Sequence, residues 1–281
     1  MDRLEISLEE LKKIQIEILD DVHSFCEQKG LTYFLSSGTL IGAIRHKGYI
    51  PWDDDIDIYM PRKDYDAFAE SYNHYAEGYR MVTLSTDDQC SIAYGKVEKT
   101  GTRIVENVDN PMRIGVNIDV FPLDGVPDDE KHRKRYFNRL QRLRYALVLK
   151  DVSVNWKSRS FVKNMTLVIG KILLAGRSLR DITMQFDRMI DRTLDKTKYV
   201  CNITGRNDFG IIFSRAAING TDDVEFEGKM YKTMVGWDEY LTTTYGDYLT
   251  PPYTRVTSLI YSVLRGLTQI IPSRLGFSLC G

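Results

Sequence analysis

Two stretches of sequence decide the fold, Leu35-Ser36-Ser37-Gly38-Thr39 and Trp52-Asp53-Asp54-Asp55-Ile56-Asp57-Ile58. The first is typical of a small-residue turn, and it opens a short apolar helix pattern that runs through His46. The second ends in an acid–apolar alternation that predicts a β-strand. Because alternate residues of a strand share a face at about 6.6 Å, Asp55 and Asp57 can converge on one cation while the isoleucines enter the core.

A third acid lies in a later β-branched run, Val116-Asn117-Ile118-Asp119-Val120-Phe121. An acid within such a run costs free energy unless it is paired or bound to a metal. Neighbouring carboxylates repel each other, and a hard divalent cation removes that repulsion while it accepts phosphate oxygens from a substrate. We therefore predict Asp55, Asp57 and Asp119 as catalytic residues and as ligands of Mg²⁺, or of Mn²⁺ in its place.

Two alternatives stay open at this metal site. The acidic run after Pro51 could be a solvated turn, although the alternation with isoleucine, the upstream glycine turn and the later acid favour the metal. Asp119 either completes the metal site or accepts the proton of an incoming hydroxyl as a general base. With either role of Asp119, the pattern predicts phosphoryl transfer.

These residues resemble a known family. The glycine turn, the acid–apolar–acid strand and the later single acid resemble the three-part signature of the nucleotidyltransferase superfold. The fuller run from Gly38 to Asp57 is similar to the LicD family of phosphocholine and polyol-phosphate transferases. Further matches are Lys96-Val97, Ile118-Asp119-Val120-Phe121-Pro122-Leu123-Asp124-Gly125, Phe226-Glu227-Gly228 and Tyr245-Gly246-Asp247-Tyr248. After Pro252 the chain departs from the family, which there has charged residues and then histidines, so the particular acceptor molecule stays unassigned.

The resemblance implies a mixed α/β (α+β) fold and a Mg²⁺-dependent phosphotransferase. The expected donor is a CDP-activated small molecule, with phosphocholine as the leading head group and glycerol or ribitol phosphate next. The expected acceptor is a hydroxyl of a cell-surface glycan or of its lipid-linked precursor, and CMP is released. Alternatives are nucleotidyl transfer to a small molecule, a glycosyltransferase that uses its Asp-x-Asp for a nucleotide sugar, and a non-catalytic scaffold at a membrane surface.

Basic and aromatic residues near the acids are candidates for donor binding. Helix amides and hydroxyls suit donor phosphate, and so do nearby cations; these candidates are Ser37, Gly38, Thr39, Arg45, His46 and Lys96. The alternative for the first three is an ordinary turn and helix cap. Aromatic faces suit a quaternary ammonium or a base, and the candidates are Tyr49, Trp52, Tyr94 and Phe121. With seventeen tyrosines in the chain, ordinary core packing is a strong alternative.

Composition bounds the remaining classes. The 281 residues are 43% hydrophobic, which is enough for a sizeable core. The four cysteines are widely spaced without a Cys-x-x-Cys pair, so neither a zinc site nor a disulfide framework is indicated. Neither a signal-peptide pattern at the start nor an apolar run of membrane-spanning length is found. A cytoplasmic protein, with peripheral attachment to the inner face of the cell membrane as an option, is the expectation.

Charge is unevenly distributed along the chain. Lys131 to Arg180 holds fourteen Lys or Arg and one acid, or about +13, whereas the whole chain sums to −1. An anionic membrane surface or a phosphate-rich acceptor fits this polarity. Nucleic acid is not expected, because no binding module is recognised and the pI is near 6.5. The oligomeric state is not assigned.

Three segments are predicted: a catalytic core at 1–130, a basic helical insertion at 131–200, and the C-terminal part of the core with an amphipathic tail helix at 201–281. The first helix is predicted to begin at a capping box that starts with Ser7 and to end at Gly30. The other predicted helices cover 38–45, 62–75, 130–150, 161–175, 182–194 and 256–271. The predicted strands cover 32–36, 55–60, 79–84, 92–97, 103–105 and 115–121.

Overall fold

The computed structural model describes residues 6–104, 112–156, 159–205 and 211–250. Its helices are α1 (Leu8–Lys29), α2 (Ser37–His46), α3 (Arg62–Ser71), α4 (Glu130–Asp151), α5 (Phe161–Leu173), α6 (Leu179–Met189) and α7 (Trp237–Tyr245). Its strands are β1 (Phe34–Leu35), β2 (Asp57–Pro61), β3 (Tyr79–Val82), β4 (Gly95–Lys99), β5 (Asn117–Val126), β6 (Tyr199–Cys201), β7 (Ile212–Ser214), β8 (Thr221–Phe226) and β9 (Lys229–Met234). The predicted tail helix at 256–271 lies outside the described residues.

A seven-stranded mixed sheet forms the core, which confirms the predicted fold class. Its main path runs β1-β2-β5-β4-β3, and β6 joins β5 to β7. The β2–β5 pair is parallel, whereas β4 and β6 both pair with β5 in the antiparallel sense. All ten residues of β5 are buried, and each of them pairs with at least one neighbouring strand, β2, β4 or β6. A separate hairpin is made by β8 and β9.

Helix α1 has the ends that its sequence predicts. Ser7 and Glu10 form a capping box, and Gly30 ends the helix in the left-handed conformation. Its buried stripe includes one polar residue, Gln15, which is 3% exposed. The Gln15 amide nitrogen donates to the carbonyls of Asp54, at 3.0 Å, and of Asn117, at 3.3 Å. A single side chain therefore ties α1 to the acidic loop and to the start of β5.

Strand β2 begins at Asp57 rather than at Asp55, so the predicted start was two residues early. In the parallel register Asp57 lies opposite Asp119, and continuing it would place Asp55 opposite Asn117. The carbonyl of Asn117 accepts a hydrogen bond from the Gln15 side-chain amide and not from the strand. Asp55 consequently precedes the strand and is exposed, while Ile56 remains fully buried.

Other predicted bounds also shift. Strand β4 begins at Gly95 instead of Ile92, and Arg103 and Ile104 are not in a strand. Helix α6 begins three residues before the predicted start, because Ser178 and Asp181 form a capping box there. Strand β5 runs on past Phe121 to Val126, where β6 pairs with it.

A buried ion pair fixes the start of α3 to β5. Arg62 donates from Nε and Nη2 to the two carboxylate oxygens of Asp124, at 2.6 and 2.7 Å. This bidentate contact gives Asp124, which matches a family motif, a structural partner inside the sheet.

Three helices occupy most of the predicted basic insertion. Helix α4 packs against α5 and α6, and the Arg180 guanidinium donates to the carbonyls of Leu84, Asp87 and Cys90 in the core. The last residues of the predicted insertion are in β6, which is part of the main sheet. None of the helices in the described parts of the chain is long and apolar enough to cross a membrane.

Candidate active site

Three charged residues form a row across neighbouring strands. Asp57 of β2 lies opposite Asp119 of β5, and Asp119 lies opposite Lys96 of β4. The backbone of Asp119 donates to the carbonyl of Ile56 at 2.8 Å. Residues in register on adjacent strands share a face, so the predicted Asp57–Asp119 proximity is confirmed at the level of the backbone register.

Lys96 is the positively charged member at one end of this row. Its ammonium contacts the carboxylate of Asp119 and donates to Oδ1 of Asn117 at 3.1 Å. The residue is only 8% exposed, and its Nζ lies 5.5 Å from the centre of the Tyr94 ring. Lys96 thus supplies a positive charge beside the acids, and its predicted contact with donor phosphate stays a prediction.

The acids of this row and of the preceding loop together carry an excess of negative charge. Burial raises the pKa of Asp57 well above its usual value, and the charges of Asp55 and Asp119 raise it further, against the opposing effect of Lys96. The pKa of Asp53 is raised to about 7, first by burial and then by Asp55 and Asp54. The site is therefore one at which a bound cation would be stabilised.

The carboxylates that lie closest together come from the acidic loop. Within the ranges that the structure describes, Asp53, Asp54 and Asp55 are the group of three acids whose oxygens all lie within 4.8 Å of one another. The predicted trio of Asp55, Asp57 and Asp119 does not form such a group there. The oxygen-only chemistry of the loop acids, together with the raised pKa values of Asp53 and Asp57, fits a hard divalent cation.

The start of α2 lies against these acids. A Cβ atom on Gly38 would lie 2.5 Å from Oδ2 of Asp53, so glycine is what allows the helix and the loop to approach. The Thr39 hydroxyl accepts from the backbone of Asp57 at 2.9 Å. Ser37 is left-handed, with φ of 51°, and its N–H donates to the hydroxyl of Tyr240 at 3.1 Å. The predicted phosphate-binding turn is thus adjacent to the acids, and its contact with phosphate stays a prediction.

Residues 30–162 match the protein family described as LicD/FKTN/FKRP, nucleotidyltransferase domain. These residues are a LicD-family domain. The chain is also 29% identical over 259 residues to the lipopolysaccharide cholinephosphotransferase LicD of Haemophilus influenzae, which covers 88% of this chain and 93% of that protein. The predicted family is confirmed for residues 30–162, and the predicted class, a LicD-like phosphotransferase, agrees with this relative.

Shorter similarities lie in two Rickettsia proteins that are both uncharacterized. The one from Rickettsia typhi is 36% identical over 66 residues, or 23% of this chain and 21% of that protein. The one from Rickettsia prowazekii is 37% identical over 68 residues, or 21% of this chain and 26% of that protein.

Two predicted donor residues of the LicD domain lie away from the helix start. Arg45 and His46 are at the C-terminal end of α2, about 10 Å along the helix from Gly38 at 1.5 Å per residue. Arg45 donates from Nε to the His46 ring at 2.9 Å and from Nη1 to the carbonyl of Tyr248 at 3.1 Å. The structure therefore does not place this pair beside Ser37, Gly38 and Thr39, and its contact with donor phosphate stays a prediction.

The four aromatic candidates do not form one pocket. Tyr94 and Phe121 pack together, with ring centres 4.4 Å apart. Tyr49 packs against Phe226 at 5.0 Å and donates its hydroxyl to Gln15 at 3.0 Å, while Trp52 is 61% exposed. Tyr49 and Trp52 lie in the segment between α2 and β2, whereas Tyr94 directly precedes β4 and Phe121 is in β5. The Tyr94–Phe121 pair is the one that adjoins Lys96.

Residues outside the LicD domain help to shape its site. Tyr240 of α7 bonds Ser37 and, through its hydroxyl, donates to Tyr59 at 3.2 Å. Glu227, in the β8–β9 turn, accepts from the backbone of Tyr49 at 3.0 Å. Sequence reasoning missed Gln15, Tyr59 and Tyr240. Two of these carry a signal: Gln15 interrupts the apolar stripe of α1, and Tyr59 shares a strand face with Asp57.

Proposed function

We propose that this chain transfers phosphocholine from CDP-choline to a hydroxyl of a cell-surface glycan or its lipid-linked precursor, with release of CMP. The observation that carries the proposal is the row of Asp57, Asp119 and Lys96 beside a three-acid loop, at the start of a glycine-containing helix. The similarity of most of the chain to a lipopolysaccharide cholinephosphotransferase supports the choice of head group and the glycan acceptor.

The proposed reaction is an in-line displacement at phosphorus. The acceptor oxygen forms a bond to the phosphorus that bears choline, the bond from that phosphorus to the CMP oxygen breaks, and the acceptor proton passes to a carboxylate of the charged row. Because Asp119 is held by Lys96 and Asp57 is held by the β2–β5 register, the chain fixes both acids before substrate binds.

The acids of the loop and the row would hold Mg²⁺, or Mn²⁺ in its place. The carboxylate oxygens of Asp53, Asp54 and Asp55 lie close together, and the charges of Asp55 and Asp53 act on Asp57. When bound, such an ion supplies charge neutralisation for the donor diphosphate. The chain itself contributes the Lys96 ammonium and the polar groups at the start of α2, which face the same region.

A donor screen tests this function. The purified chain is incubated with Mg²⁺, lipopolysaccharide and CDP-choline, CDP-glycerol, CDP-ribitol or CTP, and both products are identified by mass. We expect CMP and a choline-phosphate adduct from CDP-choline. A cytidylyl adduct with release of pyrophosphate from CTP would instead assign nucleotidyl transfer, which the domain's family description keeps as the second candidate.

The acid variants separate chemistry from folding. We expect Asp57→Asn and Asp119→Asn to lower kcat by at least about a hundredfold, in the range found when a transition-state contact is removed. Asp88→Asn is the matched control, since the side chain of Asp88 is fully exposed. Full turnover by Asp57→Asn with an unchanged melting curve would contradict the assignment, and absence of turnover from all donors would favour the scaffold alternative.

A further inference from the structure

Helix α5 exposes an apolar face. Its inner side is set by Asn164, Leu167 and Gly170, which are buried, and Gly170 lies against the side chain of Leu149 on α4. The outer side holds large apolar residues that are between 52% and 79% exposed: Phe161, Val162, Ile169, Ile172 and Leu173. In a helix that covers a water-soluble core the polar residues normally face outward, so this arrangement is inverted.

The exposed apolar surface continues beyond α5. Trp156, in the connection from α4, is 56% exposed, and its ring centre lies 5.9 Å from that of Phe161. Asn164 holds this connection in place, because its amide donates to the carbonyl of Asn155 at 2.9 Å and its oxygen accepts from the backbone of Asn155 at 3.0 Å. Tyr145 and Val148 of α4 are likewise exposed. The Trp156–Phe161 contact extends the exposed apolar area of α5 into the connection from α4, and exposed apolar area of this kind marks a contact surface.

Positive charge is concentrated in the segment that carries this surface. Helix α5 has two lysines and no acid. Helix α4, which packs on it, exposes a series of basic residues: Lys131, Lys134, Arg135, Arg139 and Arg142. The whole segment from Lys131 to Arg180 carries about +13. A symmetric dimer through this face would bring two such segments together, and their repulsion disfavours a second copy as the occupant.

We propose that the outer face of α5, with Trp156, docks into the surface of an anionic phospholipid bilayer, and that the basic residues of α4 bind its headgroups. Interfacial helices of this type combine aromatic and aliphatic residues on the buried face with Lys and Arg beside it. At thirteen residues α5 is about 20 Å long, which is too short to span a bilayer of about 30 Å. The helix therefore lies along the surface. This inference stands apart from the phosphocholine chemistry, because binding is measured without turnover.

Co-sedimentation of the full chain with vesicles tests the surface. Vesicles of phosphatidylglycerol and phosphatidylethanolamine in equal parts should bind the chain, vesicles of phosphatidylcholine alone should not, and added salt should weaken binding. On the anionic vesicles Trp156 should enter the bilayer surface, so the tryptophan emission should shift to shorter wavelength, and Trp156→Phe should remove the shift. Inorganic phosphate at matched ionic strength should not release the chain, which separates a lipid surface from simple anion binding.

Variants of exposed residues locate the contact without disturbing the core. The Ile169→Gln, Leu173→Gln double variant should lose at least about tenfold in partition, because both side chains leave the bilayer. Arg135→Gln with Arg139→Gln should lose about twenty-fivefold, at about fivefold for each charge. Met230→Gln, 55% exposed on β9, is the matched control and should bind like the wild type.

Two results would overturn the proposal. One is equal sedimentation, or none, with anionic and zwitterionic vesicles while the melting curve shows a folded chain. The other is a concentration-dependent dimer that the Ile169→Gln, Leu173→Gln variant converts to monomer, which would assign the face to a second copy.

Discussion

At the scale of single residues, the candidate site holds more negative than positive charge. Lys96 compensates one carboxylate, Asp119, and the sheet register fixes the next, Asp57, one strand away. The loop acids add further negative charge against Gly38, where the helix start approaches Asp53 closely. The chain therefore stores repulsion at this point, and a cationic ligand would relieve it.

Removing one loop charge should stabilise the metal-free protein. The pKa of Asp53 rises from 3.8 to about 7 on folding, so the folded state favours the protonated form. A raised pKa gives a stabilisation that is present at low pH and is lost as pH rises through the folded value. In EDTA and above pH 7, Asp53→Asn should therefore have a higher melting temperature than the wild type. The expected gain in the free energy of unfolding is about 2 kcal/mol, after allowance for solvent screening of a partly exposed group.

The control for this measurement is Glu77→Gln, an exposed acid away from the loop. Its melting curve should follow the wild type at every pH. A melting temperature of Asp53→Asn that falls in parallel with the wild type as pH rises would show that Asp53 is not the group whose charge is unfavourable.

Lys96 should be worth more to the fold than an exposed lysine. Lys96→Met leaves the carboxylate of Asp119 buried beside Asp57 without its partner, a change that costs about 3–5 kcal/mol when the pair is buried. We expect a lower denaturation midpoint in urea. Adding Asp119→Asn to Lys96→Met should recover part of the loss, and the double-mutant cycle measures the coupling. Strictly additive losses would show that the two side chains act independently.

At the scale of elements, local pattern predicted helices better than it predicted their contacts. The capping residues of α1 and the alternation of β2 are visible in a few neighbouring residues, and both elements form. The start of β2 was wrong by two residues because a side chain from α1, Gln15, takes a carbonyl that the strand would need. Arg45 and Gly38 are both predicted to contact donor phosphate, which stays a prediction, and they lie toward opposite ends of α2. A continuous helix separates its two ends by its own length.

The contact between α7 and α2 is another case that sequence alone could not reveal. Ser37 and Tyr240 are separated by 203 residues, and neither stands in a pattern that points to the other. The Tyr240 hydroxyl holds the backbone of Ser37 in its left-handed conformation and also reaches Tyr59. The start of the proposed phosphate-binding helix thus depends on a helix near the other end of the described chain.

Tyr240→Phe should loosen that helix start. The change keeps the ring packing but removes two hydrogen bonds from a fully buried position, so we expect a loss of about 1–3 kcal/mol in the free energy of unfolding. If Ser37 contacts the donor, KM for CDP-choline should rise more than kcat falls. Tyr145→Phe, on an exposed tyrosine of α4, is the control. A variant with unchanged stability and unchanged KM would show that Ser37 keeps its conformation without Tyr240.

At the scale of the whole molecule, composition predicted the charge polarity and the family resemblance predicted the mixed sheet. The predicted end of the insertion at residue 200 falls within β6, and β6 is a strand of the main sheet that pairs with β5. Contacts that join distant segments were also beyond the sequence, such as Glu227 against the backbone of Tyr49. These depend on how several elements pack at once, which no local pattern records.

Mg²⁺ and CDP-choline should stabilise the folded protein jointly. A ligand that binds only the folded state stabilises it by mass action, by about 2.7 kcal/mol at a hundred times its Kd. If the loop acids hold Mg²⁺ and the donor phosphates bind against it, Mg²⁺ and CDP-choline together should raise Tm by more than the sum of their separate effects. In Asp57→Asn the joint increment should disappear, whereas Asp88→Asn should keep it. Equal increments for both variants, or additive effects of the two ligands on the wild type, would place the donor away from the acids.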